Sequence, residues 1–205
     1  MREKSIKEVV MGIPMVYQLL QNGIRKPTSD LFLARDVIQA CDGLTILDVG
    51  CGVGRIRRLL GDVHYVGIDH NPSYIKKARK THGSSSEFHV ADVSEVPSIT
   101  GLKFDRILLL AVLHHLSDNQ VTQLLGHCRT LLRPAGFVVS ADPTFIPKQN
   151  PIAYAISRLD RGQFVRTPEA YSQLFESDFK SCKLQVRNDL LWLPSSTVVI
   201  SATPT

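Results

Sequence analysis

The stretch Thr45-Ile46-Leu47-Asp48-Val49-Gly50-Cys51-Gly52-Val53-Gly54 changes character half-way along. Its first half is an apolar run bounded by Gly43 and Gly50, which predicts a short strand covered on both faces. In the second half, three glycines on alternate positions clear every Cβ from one side of a turn. The backbone there can approach a ligand closely and take positive φ without strain. The run Arg55-Ile56-Arg57-Arg58-Leu59-Leu60 then predicts a helix whose first N–H groups and positive dipole end face the same spot. Strand, glycine turn and helix together predict a binding site for a carboxylate or a phosphate.

Two residues narrow the choice. A dinucleotide turn needs Gly-x-Gly-x-x-Gly, which would require glycine at position 55, and that residue is Arg55. Asp48, two residues ahead of the first glycine, repels a phosphate and suits an ammonium group. A ligand with both a carboxylate and an ammonium group is an amino acid.

Working outward, residues 64–69 predict a second strand that ends in Asp69, and residues 87–91 a third that runs into Asp92 and Val93. Ligands of open α/β sheets sit beyond the carboxyl ends of the strands. A carboxylate at position 69 can accept hydrogen bonds from both hydroxyls of a ribose, because Asn71 ahead of Pro72 is already placed to cap the following helix. Asp92 is a third acidic residue at a strand end. Its alternative role is a cap for the segment near Glu95.

Asp48-Val49-Gly50-Cys51-Gly52-Val53-Gly54 resembles the acidic-x-Gly-x-Gly-x-Gly first motif of class I S-adenosylmethionine-dependent methyltransferases. The resemblance implies S-adenosyl-L-methionine as cofactor. Asp48, Gly50, Cys51, Gly52 and Gly54 would then hold its methionine end. Asp69 would hold the ribose, with His70 and Asn71 flanking the adenosine. Asp92 would take the adenine amino group and the Val93 N–H the ring, with Ala111 joining them at the end of a fourth strand over residues 104–110. Families that methylate exocyclic amines of nucleic acids carry an acidic residue, Asn or Ser followed by Pro-Pro-aromatic at that point. This chain has Leu113-His114-His115-Leu116 instead, similar to the type 11, ubiquinone-biosynthesis-like subset that acts on small molecules. His115 is the candidate general base, since an imidazole changes charge near neutral pH. His114 is a candidate substrate contact, and of the two it is the one suited to packing.

Residues 120–132 predict an amphipathic helix and residues 137–141 a fifth strand. Between 143 and 167 the alternation stops, punctuated by Pro143, Pro147 and Pro151. This reads as a substrate-side insertion in which Tyr154, Arg158 and Arg161, with Phe164 and Arg166, offer aromatic surface and cations to an anionic or aromatic small-molecule acceptor. Thr167 and Pro168 open a last helix, and residues 183–193 and 197–203 form a closing antiparallel hairpin. The fold class is α/β: a Rossmann-like, doubly wound seven-stranded sheet, mostly parallel with an antiparallel C-terminal strand. Two helices in residues 1–41 precede it, as a cover or a lid with Tyr17 or Arg25 reaching inward.

At 205 residues the chain makes one domain. Its formal charge of +5 is dispersed over helix faces without interleaved aromatics, which excludes a nucleic-acid surface. Cys41, Cys51, Cys128 and Cys182 show neither disulfide nor metal spacing. The longest apolar run is too short for a membrane span, and Gly12 and Pro14 break the N-terminal one, so a cytoplasmic protein without a signal peptide is expected. Oligomeric state stays open. Two other readings remain at this stage, an NAD(P)-dependent oxidoreductase and a non-catalytic methyltransferase-like binding protein.

Overall fold

The computed structural model describes residues 26–96, 101–159 and 162–204. Its strands are β1 (Thr45–Val49), β2 (His64–Asp69), β3 (Glu87–Val90), β4 (Phe104–Leu110), β5 (Leu132–Pro143), β6 (Phe179–Arg187) and β7 (Thr197–Pro204). They form one sheet in the order β3-β2-β1-β4-β5-β7-β6. The pairs from β3 across to β5 are parallel, and β7 runs antiparallel between β5 and β6. The α-helices are α1 (Pro27–Phe32), α2 (Pro72–His82), α3 (Asp118–Leu131), α4 (Pro151–Leu159) and α5 (Pro168–Phe175).

β1 is buried at all five positions because both faces of the sheet are covered. On one face Leu47, Ile107 and Leu109 pack with Val121, Leu124 and Leu125 of α3 and with Tyr171 and Phe175 of α5. On the other, Ile46, Tyr65, Leu108 and Val139 pack with Leu33 and Val37 after α1 and with Ile75 and Ala78 of α2. Each large aliphatic chain buried this way contributes roughly 1.5–3 kcal/mol. Caps set the helix starts. The Asn71 side chain accepts from Ser73 N at 2.9 Å ahead of Pro72, and Thr167 accepts from Ala170 N ahead of Pro168. Ser117 and Gln120 form a capping box that starts α3 at Asp118.

The sheet matches the expected class, strand count and antiparallel strand. Three local expectations fail. After the glycine turn there is no full helix, only one 3-10 turn over Ile56–Leu59. Gly54 (φ +70°) and Gly61 (φ +73°) both turn the chain out of helical geometry and leave a single turn between them. β5 begins at Leu132, five residues early. Leu132 pairs with Phe104, the Arg133 guanidinium meets Asp105 at 2.7 Å, and Gly136 lets the strands close where a Cβ would stand 2.8 Å from the Phe104 carbonyl oxygen. β6 ends at Arg187, and Trp192 and Leu193 are exposed rather than in strand.

Candidate active site

In the order β3-β2-β1-β4 the chain reverses direction across the sheet between β1 and β4. Above their carboxyl ends lies a cavity of about 610 Å³. This is where the topology of an open parallel sheet leaves a crevice. Asp48 from β1, Asp69 from β2 and Asp92 after β3 all line it, so the three strand-end carboxylates converge as expected.

Asp48 is buried at the floor, where its Oδ2 accepts a short hydrogen bond (2.5 Å) from the Tyr65 hydroxyl. Burial pushes its carboxyl up from 3.8 to about 7, against the pull of the Tyr65 bond and helped by the charge of Asp69. Asp69 straps the glycine turn to β2. Its Oδ2 accepts from Gly52 N at 2.9 Å and its Oδ1 from Asn71 N at 2.8 Å. Asp92 forms the cap that was its alternative role, and it also faces the cavity. It closes a capping box with Glu95, with its Oδ1 accepting from Ser94 N and Ser94 Oγ. These two bonds hold its carboxyl below the usual range.

The turn itself is folded back on β2. Gly50 N and Cys51 N both donate to the Ile68 carbonyl oxygen, at 2.8 and 2.9 Å. Gly50 has φ +72°, and a Cβ on it would lie 2.7 Å from Val112 Cγ2, so only glycine fits between β1 and the end of β4. Gly50, Cys51 and Gly52 line the cavity as expected, while Gly54 does not. A Cβ on Gly54 would stand 2.9 Å from His82 Nε2, so this glycine serves packing against α2 and β3. Together with the missing helix this leaves little of the expected anion cradle, because the amides of Gly50, Cys51, Gly52 and Gly54 are bonded inside the protein. Cys51 is buried, and its thiol is pushed far up by that burial and by the nearby Asp48 and Asp69 carboxylates.

At the far wall Ala111 lines the cavity with φ +60°, an unfavourable region for a residue with a Cβ, pinned by its N–H to Ala141 O at 2.8 Å. His70, Val93 and His115 also line it. His114 does not. It is buried, with Nδ1 2.7 Å from Asp142 Oδ1 and its ring 4.0 Å, centroid to centroid, from that of His115. Its expected substrate contact is therefore replaced by packing under His115. Arg166 holds this turn, donating to the carbonyl oxygens of Leu113 and Leu116 and to Asp118 Oδ1.

Tyr154 and Arg158 are exposed on α4 and do not line the cavity. The Tyr154 ring packs on Phe145. Tyr17, Arg25 and Arg161 fall outside the described residues. With Arg166 committed to the histidine turn, the expected cationic wall for an anionic acceptor has no support among the described residues. The sequence reading also missed lining residues: Asp30 and Leu33 from the α1 region, and Arg55, Tyr74, Val112 and Leu116. Arg55 directly follows the third glycine and was open to notice; Asp30 carried no local signal. Among the described residues no His, Cys, Asp or Glu group is arranged to hold a metal, and no helix is long and apolar enough to cross a membrane.

A family model described as a methyltransferase domain matches residues 46–136, the segment from β1 to the start of β5 that builds the cavity. Through that segment the chain is similar to methyltransferase domains. The ubiquinone biosynthesis O-methyltransferase of Rhodopseudomonas palustris (strain HaA2) is 32% identical over 112 residues, covering 51% of this chain and 42% of that protein. The protein of the same name from Cereibacter sphaeroides (strain ATCC 17025 / ATH 2.4.3) is 34% identical over 113 residues, 52% of this chain and 44% of the relative. The chain thus spans less than half the length of these relatives. Human N-acetylserotonin methyltransferase, solved in complex with S-adenosylmethionine, shares the fold with a TM-score of 0.68 over 100% of this chain and 61% of that one, at 17% identity. The N-methyltransferase NodS from Bradyrhizobium japonicum WM9 does so at 0.64, over 86% and 84%, at 16% identity.

Proposed function

We propose that the cavity binds S-adenosylmethionine and that the protein passes its methyl group to an oxygen of a small-molecule acceptor. The observation that carries the reading is the row of Asp48, Asp69 and Asp92, one at each of three neighbouring strand ends, around a single cavity. The site fits the group. A buried carboxylate at its floor, with a raised pKa and the neutral Tyr65 hydroxyl as its hydrogen-bond donor among the described residues, is suited to an ammonium. When bound, the cofactor supplies a methyl carbon on a sulfonium, open to in-line attack by a nucleophile.

Asp48 then neutralises the amino group. Asp69 uses one lone pair on each oxygen for Gly52 and Asn71, and a carboxylate has about four such sites, so acceptor capacity remains for the ribose hydroxyls. Asp92 spends only Oδ1 on its cap, and its Oδ2 accepts from the adenine amino group, beside the Val93 N–H. His70, Cys51 and Ala111 complete the wall. His115 takes the proton of the acceptor's hydroxyl, held at the cavity by the turn that Arg166 ties down. Residues 26–41, the described part of the N-terminal segment, cover the cofactor side, a role supported by the Asp30 and Leu33 lining positions, and the described residues of 143–167 border the acceptor side through Arg166. The acceptor is a hydroxyl compound, in line with the O-methyltransferase names of the two relatives.

Two measurements test this. S-adenosylmethionine at about 100 times its Kd stabilises a protein by about 2.7 kcal/mol, on the order of 5–10 °C in melting temperature for a chain of this size. NAD(P)H is expected to shift it not at all, and the opposite pattern would return the oxidoreductase reading. For the base, His115→Ala is expected to lower turnover of a hydroxyl acceptor about 10²–10⁴-fold with cofactor affinity within about twofold of wild type. Wild-type turnover in that variant across pH would remove His115 from the chemistry.

A further inference from the structure

The proposed ligand carries a carboxylate, and four of the five amides from Gly50 to Gly54 are already bonded inside the protein. Gly50 N and Cys51 N donate to Ile68 O, Gly52 N to Asp69 Oδ2 and Gly54 N to Cys51 O, each at 2.8–2.9 Å. The 3-10 turn behind them is four residues long, too short to present a helix dipole. Among the described residues four aspartates line the cavity, Asp30, Asp48, Asp69 and Asp92. Among the described lining residues the sole Lys or Arg is Arg55.

We infer that Arg55 is the receptor for the α-carboxylate of the cofactor, with Asp30 as the positioning residue that aims its guanidinium. This rests on the S-adenosylmethionine reading and adds a selectivity to it, for carboxylated over decarboxylated cofactor. Arg55 Nε donates to Asp30 Oδ2 at 2.8 Å, and Arg55 Nη2 bonds the same oxygen. Both side chains are largely shielded, 26% and 14% exposed. A guanidinium carries five N–H donors in a planar fork, so one carboxylate can hold it along an edge while it serves a second. The pair spans two distant parts of the chain. Asp30 lies in the first turn of α1 and Arg55 directly after the glycine turn, so the cation is fixed at the cavity from the α1 side. With Arg55 and the buried Asp48 both on the lining, the cavity offers opposite charges to the two ends of a zwitterion. An ion pair that only tied α1 to the turn would be indifferent to whether the ligand has a carboxylate.

That difference is the test. Calorimetric Kd values are measured for S-adenosylmethionine, decarboxylated S-adenosylmethionine, which keeps the ammonium, and 5′-methylthioadenosine, which lacks both groups. A charge-assisted bond of this kind predicts that the wild type binds the carboxylated cofactor about tenfold or more tighter than the decarboxylated one. In Arg55→Gln that preference is expected to fall to within about twofold, with 5′-methylthioadenosine affinity unchanged. Equal wild-type affinity for the first two ligands overturns the inference without any variant, and so does a preference that survives in Arg55→Gln. If the wild type binds none of the three, the cofactor reading itself falls and takes this one with it.

Discussion

Asp69→Ala is expected to weaken S-adenosylmethionine binding by more than about 100-fold and to destabilise the protein even without ligand. The first effect follows from losing the proposed acceptor for the ribose hydroxyls in a shielded site, and the second from the strap. Gly52 N and Asn71 N each donate to one oxygen of this buried side chain, and truncation leaves a shielded N–H without its acceptor, at about 1–3 kcal/mol. Asp69→Asn separates this from a plain charge effect. The asparagine amide has one acceptor atom, whereas the two N–H groups approach opposite oxygens, so one of them must face an NH₂ group. Asn is therefore expected to resemble Ala in both melting temperature and cofactor affinity. An Asp69→Asn protein with wild-type melting and wild-type affinity would show that Asp69 neither straps the turn nor holds the ribose.

The same residue shows why much of the site was legible. A short apolar run ending in a carboxylate has a local signature, and parallel strands place all such ends on one edge of the sheet. The sequence pattern alone thus brings Asp48, Asp69 and Asp92 together. The failures share a different cause. Gly54 fits the motif by spacing, but its role depends on His82 and Phe88, which only the packing of α2 on β3 brings to it. The helix expected after the turn is cut to a single turn by the positive φ of Gly54 and Gly61. His114 and His115 are adjacent and chemically identical. Their assignment depends on Asp142, 28 residues away, which binds one ring and leaves the other at the cavity. Asp30 is 25 residues from Arg55 and became visible only once α1 had docked.

Asp48 carries the second large effect, and it acts in opposite directions on stability and on binding. Its folded-state pKa is raised, from 3.8 to about 7, chiefly by burial. A carboxyl shifted upward favours folding fully below the unfolded value, and that contribution is lost as pH rises through about 7. Above pH 7 the ligand-free protein therefore holds an ionised carboxylate in a buried position, at a cost of about 4 kcal/mol for a shift of this size. Asp48→Asn removes the charge while its amide oxygen can still accept from the Tyr65 hydroxyl. The variant is expected to melt higher than wild type at pH 8, on the order of 10 °C, with the gain shrinking steadily as pH falls toward 4. Cofactor binding should move the other way. Removing one partner of a buried charge pair costs about 3–5 kcal/mol, so affinity at pH 8 is expected to drop by at least about 100-fold. In the wild type, binding requires the ionised form. Affinity should then decline about tenfold per pH unit below 7, with proton release on binding seen as buffer-dependent heats, and both signatures should vanish in Asp48→Asn. A variant that is less stable at pH 8, or one that keeps the wild-type pH dependence of binding, would mean that the buried carboxylate is a structural partner of Tyr65 and that the ammonium is held elsewhere.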